Sequence, residues 1–133
     1  MIQVGIVGAS GYTGEELVKI LHRHPNVELR ALTSSKNTSE KVKDVLNLDF
    51  SYQGTFCSPD IENLDGCDVV FFATPNGVAM GLAGKLIEKD IKVIDISADY
   101  RIKDIELWEK WYGLKHLSPK LVDLSVYGFP EMH

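Results

Sequence analysis

Apolar positions along this chain alternate between short unbroken runs and runs spaced three and four apart. Ile2 to Val7 is nearly continuous and predicts a strand, while Glu15 to His24 carries Leu17, Val18 and Leu21 at helical spacing until Pro25 ends it. Val27 to Thr33 predicts a second strand, interrupted only by Glu28 and Arg30. A polar loop, Ser34 to Ser39, then leads to a short helix over Glu40 to Leu46 with Val42, Val45 and Leu46 on one side. Asn47 to Gly66 is rich in turn residues and predicts no regular element. Beyond it the pattern gives a buried strand at Asp68 to Ala73, a helix at Gly77 to Lys89 and a strand at Lys92 to Ile96. A helix at Asp104 to Tyr112 and a short last strand at Leu124 to Tyr127 complete it. Strands alternating with helices predict an α/β fold, a doubly wound parallel sheet covered on both faces.

The first predicted strand breaks into Gly8-Ala9-Ser10-Gly11-Tyr12-Thr13-Gly14 before the first helix. Gly8 suits the tight turn, Gly11 lets the backbone approach a diphosphate, and Gly14 allows close packing of helix on sheet. The unpaired N–H groups of the helix N-terminus face the anion. Thr13 and Glu16 have the spacing of a capping box. The motif is G-x-x-G-x-x-G, one residue longer in its first gap than the common G-x-G-x-x-G, and the strand before it and helix after it supply the context it requires. A plain β-α turn without ligand is the competing account. The expected class is a Rossmann-like dinucleotide-binding domain, with Gly8, Ser10, Gly11, Tyr12, Thr13 and Gly14 at the cofactor.

Composition narrows the alternatives. The 133 residues, 44% hydrophobic and 25% charged, suit one globular domain spanning 1–133. A net charge of -5 with no Lys/Arg cluster supplies no field for nucleic acid. No apolar run approaches the roughly 20 residues of a membrane span, and no basic region precedes an apolar stretch at the N-terminus as in a signal peptide. Cys57 and Cys67 lack metal-ligand spacing and read as reduced thiols, so a cytoplasmic location is expected. His22 and His24 point to different sides of a helix, and His116 and His133 have no spacing for a metal or a nucleophile, so no metal site is expected.

In a doubly wound sheet, ligands lie outside the carboxyl ends of the strands. After the second strand comes Thr33-Ser34-Ser35-Lys36, where an NAD site would carry an acid for the ribose 2'-hydroxyl. Ser34, Ser35 and Lys36 instead suit a 2'-phosphate and point to NADP(H). A solvated polar loop is the bland alternative. Ala73, Thr74, Pro75 and Asn76 follow the next strand as further cofactor-binding candidates, with the helix starting near Gly77 offering N–H groups toward the cofactor. In Ser97-Ala98-Asp99-Tyr100-Arg101 the Ser97 hydroxyl and the Arg101 fork are candidates to grip a phosphate or carboxylate of a substrate, against a surface Asp99-Arg101 pair that merely solvates the loop.

Three ordered segments resemble N-acetyl-gamma-glutamyl-phosphate reductase, a branch of the aspartate-semialdehyde dehydrogenase group. They are Gly8-Ala9-Ser10-Gly11-Tyr12-Thr13-Gly14-Glu15-Glu16-Leu17, Val93-Ile94-Asp95-Ile96-Ser97-Ala98-Asp99-Tyr100-Arg101-Ile102, and Val126-Tyr127-Gly128-Phe129-Pro130-Glu131. The resemblance spans nearly the whole chain. It implies NADPH-dependent reduction of an acyl phosphate to a semialdehyde in arginine biosynthesis, through thiolate attack, hydride reduction of the thioester and a histidine acid/base. It also implies a small-molecule acyl-phosphate substrate and a homo-oligomeric parent, while charge and hydropathy lead to the expectation of no nucleic acid or membrane partner.

The family's nucleophile lies in an Asn-Pro-Gly-Cys-Tyr-Pro segment after the Tyr-Gly-Phe-Pro-Glu motif, and this sequence does not contain it. Neither Cys57 nor Cys67 matches that motif. No catalytic residue is therefore assigned, the catalytic and dimerisation domain is expected to be absent, and the chain alone is expected to be inactive. Asn76 stands where the family usually has histidine. A stand-alone, non-catalytic NADP(H) sensor and the lysine-pathway acyl-aminoadipyl-phosphate reductase remain alternatives. Trp108, Trp111 and Phe129 are expected to lie on apolar surface that a second domain covers.

Overall fold

The computed structural model of the chain describes residues 1–128. Four strands, β1 (Ile2–Val7), β2 (Val27–Thr33), β3 (Val69–Phe72) and β4 (Lys92–Asp95), form one sheet in the order β2-β1-β3-β4, and every neighbouring pair is parallel. Parallel neighbours require crossovers, and these run through α1 (Tyr12–His22), through α2 (Val42–Val45) with a 3-10 turn at Ile61–Leu64, and through α3 (Ala79–Glu88); α4 (Ile105–Tyr112) and α5 (Pro119–Leu124) follow the last strand.

The period-two alternation of β1 divides the core. Val4 and Ile6 face α1 and pack with Val18, Leu32, Val42, Leu46 and Phe56. Val7 faces the opposite side and packs with Val70, Phe72, Ala79 and Leu86 beneath α3. The doubly wound parallel sheet expected from the sequence is the fold observed.

Two local expectations fail. The capping box does not form: α1 starts at Tyr12 with extended Gly11 as its N-cap, and no side chain caps it. Glu15, one residue before the expected partner, instead turns its carboxylate to the Asn47 N–H at 2.7 Å. The expected strand at Leu124 to Tyr127 is also absent. Pro119 pre-sets the first turn of α5 through Leu124, and residues 125–128 pair with no strand. The Lys103 ammonium donates to the carbonyls of Val122 and Ser125 and so closes the end of that helix. Leu124 and Val126 alternate as a strand would, yet both are exposed.

Candidate functional site: the crevice between β1 and β3

Strand order reverses between β1 and β3, so the chain leaves their carboxyl ends in opposite directions and opens a crevice there. A cavity of about 300 Å³ lies in it, lined by Gly11, Tyr12 and Thr13 on one side and Ala73, Thr74 and Pro75 on the other. Gly8 has φ of 83°, and a Cβ there would come within 2.5 Å of the Ala73 carbonyl oxygen. At Gly14 a Cβ would run into the Gly8 carbonyl oxygen. These two glycines seal the floor of the loop. Gly11 differs, because its Cβ would meet only the Gly8 carbonyl oxygen, at 3.8 Å.

The loop is thus closed below and open above, beside a helix start that no side chain caps. Thr74, on the wall of the crevice, buries its Oγ1 without a hydrogen-bond partner among the described residues. Open backbone, an uncapped helix N-terminus and a spare hydroxyl suit an anionic dinucleotide.

The loop after β2 is tied to the glycine loop. Ser10 Oγ and Ser34 Oγ share a hydrogen bond of 2.8 Å, and Ser34 Oγ also accepts from the Asn37 N–H at 2.9 Å. Ser34 is only 3% exposed, so its hydroxyl joins two loops and leaves Ser35 and Lys36 as the exposed polar groups of this segment.

After β3 the structure corrects the expectation that the start of α3 offers N–H groups to a cofactor. The Gly77 N–H donates to Asp99 Oδ1 at 2.7 Å and the Met80 N–H to Asp99 Oδ2 at 2.9 Å. Asp99 is fully buried, so the solvated Asp99-Arg101 pair is not formed. Asn76 Oδ1 accepts from the Ala98 N–H at 3.0 Å, a second tie between these loops.

Ser97 and Arg101 line a different groove, of about 740 Å³, along the free edge of β4. Ser97 donates from its hydroxyl to Asp95 Oδ1 at 2.6 Å and from its N–H at 2.9 Å. Asp95 Oδ2 is buried without a partner among the described residues. Burial pushes this carboxyl above the usual carboxylate range, against the pull of the Ser97 hydrogen bonds.

Cys67 is buried at the far end of the sheet, its sulfur 3.0 Å from where a Gly5 Cβ would lie. Cys57 is half-buried beside the end of β2, where its N–H donates to the Leu32 carbonyl. Burial pushes both thiols up. Trp108 is fully buried and donates from Nε1 to the Ala98 carbonyl at 2.7 Å, contrary to its expected exposure; Trp111 is 75% exposed. Phe129 and His133 lie outside the described residues.

The roles of Asp99, Asp95, Trp108 and buried His116 have no local signal in the sequence, because each depends on a partner far along the chain or on burial. Among the described residues, no group of three or more His, Cys, Asp or Glu side chains could hold a metal ion, and no helix is long and apolar enough to cross a membrane.

A parallel sheet whose switch-point crevice is floored by Gly8 and Gly14 and open above Gly11 defines a Rossmann-like domain of the dinucleotide-binding class. More particularly, the chain belongs to the family described as semialdehyde dehydrogenase, NAD binding domain, whose profile matches residues 3–133. It is 55% identical over 137 residues to N-acetyl-gamma-glutamyl-phosphate reductase of Laribacter hongkongensis, covering all of this chain and 39% of that protein. It is 52% identical to the reductase of Thiobacillus denitrificans, again over all of this chain and 39% of the relative. The chain therefore spans about two-fifths of the length of these curated relatives. Among solved structures, aspartate semialdehyde dehydrogenase with NADP from Candida albicans superposes with a TM-score of 0.64 at 25% identity, over 79% of this chain and 32% of that one. The resemblance seen in the three sequence segments is borne out.

Proposed function

We propose that this chain is a single cofactor-binding domain, residues 1–133, of an acyl-phosphate reductase that converts N-acetyl-glutamyl phosphate to its semialdehyde with NADPH in arginine biosynthesis. The observation that carries the binding site is the crevice itself: an open backbone cradle over Gly11, beside the uncapped start of α1, at the β1/β3 switch point. The substrate comes from the printed name of relatives 55% and 52% identical across the chain.

In this proposal the backbone of Gly11, Tyr12 and Thr13 receives the diphosphate, while Gly8 and Gly14 set the loop's floor. Ser10 acts through Ser34, joining the two loops beneath the cofactor, and Ser35 and Lys36 meet the 2'-phosphate from the rim. Ala73, Thr74, Pro75 and Asn76 form the opposite wall. Bound NADPH supplies the hydride. Ser97 and Arg101 lie toward the substrate, across the groove along β4. The covalent nucleophile belongs to the remainder of the parent protein, and cofactor binding alone cannot replace it, because uniform ground-state binding does not lower the chemical barrier.

The test is calorimetric titration of the 133-residue chain with NADPH and NADH, with Lys36→Ala in parallel. NADPH should bind more tightly, and the variant should narrow the gap, since a charge-assisted hydrogen bond contributes about 1.5–3 kcal/mol and exposure of Lys36 places it at the low end. Added N-acetyl-glutamyl phosphate should produce no steady NADPH oxidation. Equal affinity for both cofactors in both proteins would remove the proposed role of the loop after β2, and steady turnover by the isolated chain would defeat the division of labour.

A further inference from the structure

The first turn of α3 has no cap of its own. Its N-cap, Val78, is in the right-handed helical region and cannot fold back onto the turn's N–H groups. The Met80 N–H of that turn and the Gly77 N–H just before it are instead met from 19 to 22 residues downstream, where each oxygen of the Asp99 carboxylate accepts one of them. Asp99 is fully buried and forms no ion pair among the described residues. A buried carboxylate must find compensation, and here it comes from two amides and the positive end of the helix dipole.

The segment carrying Asp99 is fixed from behind. The Trp108 indole holds the Ala98 carbonyl, and His116 Nε2 lies 2.5 Å from the Asp99 carbonyl oxygen. The Ser118 N–H donates to His116 Nδ1, so the imidazole hydrogen resides on Nε2 and points at Asp99. His116 is 4% exposed and its ring packs edge-on against both Trp108 and Tyr100. Asn76, in turn, reaches forward to the Ala98 N–H. Residues 73–77 and 97–101 are therefore one bracketed unit, anchored in the α4–α5 region.

We propose that Asp99 is a positioning residue for the cofactor: it caps α3 across the fold, and so holds the Ala73–Gly77 turn in the shape that faces the dinucleotide. This rests on the cofactor site proposed above and deepens it. Two of the N–H groups at the start of α3 are taken by Asp99, whereas no side chain caps the start of α1. Gly77, at φ of 104°, lets the turn present its N–H to Asp99 in a backbone conformation that a side chain would strain.

Two measurements on the full chain test it. In native-state hydrogen exchange without cofactor, the Gly77 and Met80 amides should already be protected, and adding NADPH should change them little. Free exchange without cofactor, or protection that appears only with NADPH, overturns the cap. The second measurement titrates Asp99→Asn with NADPH and NADH at a temperature where circular dichroism shows the variant folded. The asparagine amide opposes one N–H with another donor, and the loss should be about ten-fold in affinity, the scale of one lost hydrogen bond. It should fall equally on both cofactors, because the 2'-phosphate loop lies on the other side of the crevice. A purely structural role would lower the melting temperature and leave the affinity of the folded variant unchanged.

Trp108→Phe loosens the same bracket from the core side while keeping an aromatic ring, and serves if Asp99→Asn does not fold. In either variant, faster exchange at Gly77 and Met80 with unchanged NADPH affinity overturns the positioning role. If the unaltered chain binds no NADPH, the cofactor proposal fails, while protection of the two amides still decides whether Asp99 caps α3.

Discussion

Three glycine-to-alanine substitutions separate folding from cofactor binding in opposite directions. At Gly14, inside α1, alanine's better helix propensity is worth about 0.8–1.0 kcal/mol. The new methyl, however, meets backbone, not a side chain that can swing away: the Gly8 carbonyl oxygen, Ala9 Cα at 2.7 Å and the Ala9 carbonyl carbon at 2.8 Å. Overpacking of that kind costs about 1–3 kcal/mol, and the rigid neighbours place it at the upper end, so Gly14→Ala should lose about 1–2 kcal/mol net. At Gly11 the methyl meets only one atom at 3.8 Å and φ is -80°, so nothing is strained. Alanine is a poorer N-cap than glycine, but it restricts the unfolded chain by about 0.4–1 kcal/mol, and the two effects leave stability within about 0.5 kcal/mol of the parent.

That methyl nevertheless occupies the space over the loop where backbone amides would receive a diphosphate. Losing two charge-assisted hydrogen bonds of about 1.5 kcal/mol each is about a hundredfold in affinity. Gly81→Ala is the control, because it lies in α3 with nothing within 4 Å, and it should gain about 0.8–1.0 kcal/mol. Urea denaturation and NADPH calorimetry on the three variants read out both effects. Parent-like NADPH affinity in Gly11→Ala, or its unfolding as readily as Gly14→Ala, would refute the view that Gly11 is open for a ligand.

Burial raises the folded-state pKa of Asp95 above its unfolded value, so the folded chain retains a proton that the unfolded chain releases. Stability from this group is therefore fully present below the unfolded pKa and is lost as pH rises through the folded one. Asp95→Asn should gain on the parent from about pH 4 toward neutrality in urea midpoints, and a constant difference across that range would contradict the assignment. The Cys57 and Cys67 thiols, both raised by burial, should stay protonated at neutral pH and react slowly with a disulfide reagent in the folded chain, and Cys57→Ser should bind NADPH as the parent does. The free edge of β4, with Ile94 45% and Ile96 42% exposed beside exposed Leu124 and Val126, should drive concentration-dependent self-association that Ile94→Lys reduces. Sedimentation as a monomer at every concentration would refute that.

What the sequence made legible is what it encodes locally. β1 and β2 lie where the apolar runs place them: the last four residues of Ile2–Val7 are all buried, as an inner strand covered on both faces requires, while the edge strand Val27–Thr33 tolerates Glu28 and Arg30 on its exposed first half. The glycine loop is legible for a similar reason, since the tight turn, the open approach and the close packing are each demanded at one position of a short motif. Where two local signals compete, the stronger chemistry wins. Leu124 to Tyr127 alternates like a strand, but Pro119 starts a helix that consumes its first residue, and no neighbouring strand is available to reward the alternation. The capping box fails because Gly11 already provides the extended N-cap three residues before the apolar stripe suggests a start.

The candidate site is less legible than the fold, and Ser34 and Asp99 show why. Both are small polar residues just after a strand, where a ligand contact is the natural first assignment. Ser34 is instead spent on Ser10, 24 residues earlier, and Asp99 on Gly77 and Met80, 19 to 22 residues earlier. A parallel sheet forces this outcome, because all its strands deliver their following loops to the same edge, where loops distant in sequence must satisfy one another's backbone before they can serve a ligand. Polar residues at the strand ends therefore divide by exposure. Those that turn inward, Ser34 and Asp99, fix the loops' relative positions, as does the side chain of Asn76, while those left at the rim, Ser35, Lys36 and Arg101, remain free to face a cofactor or substrate.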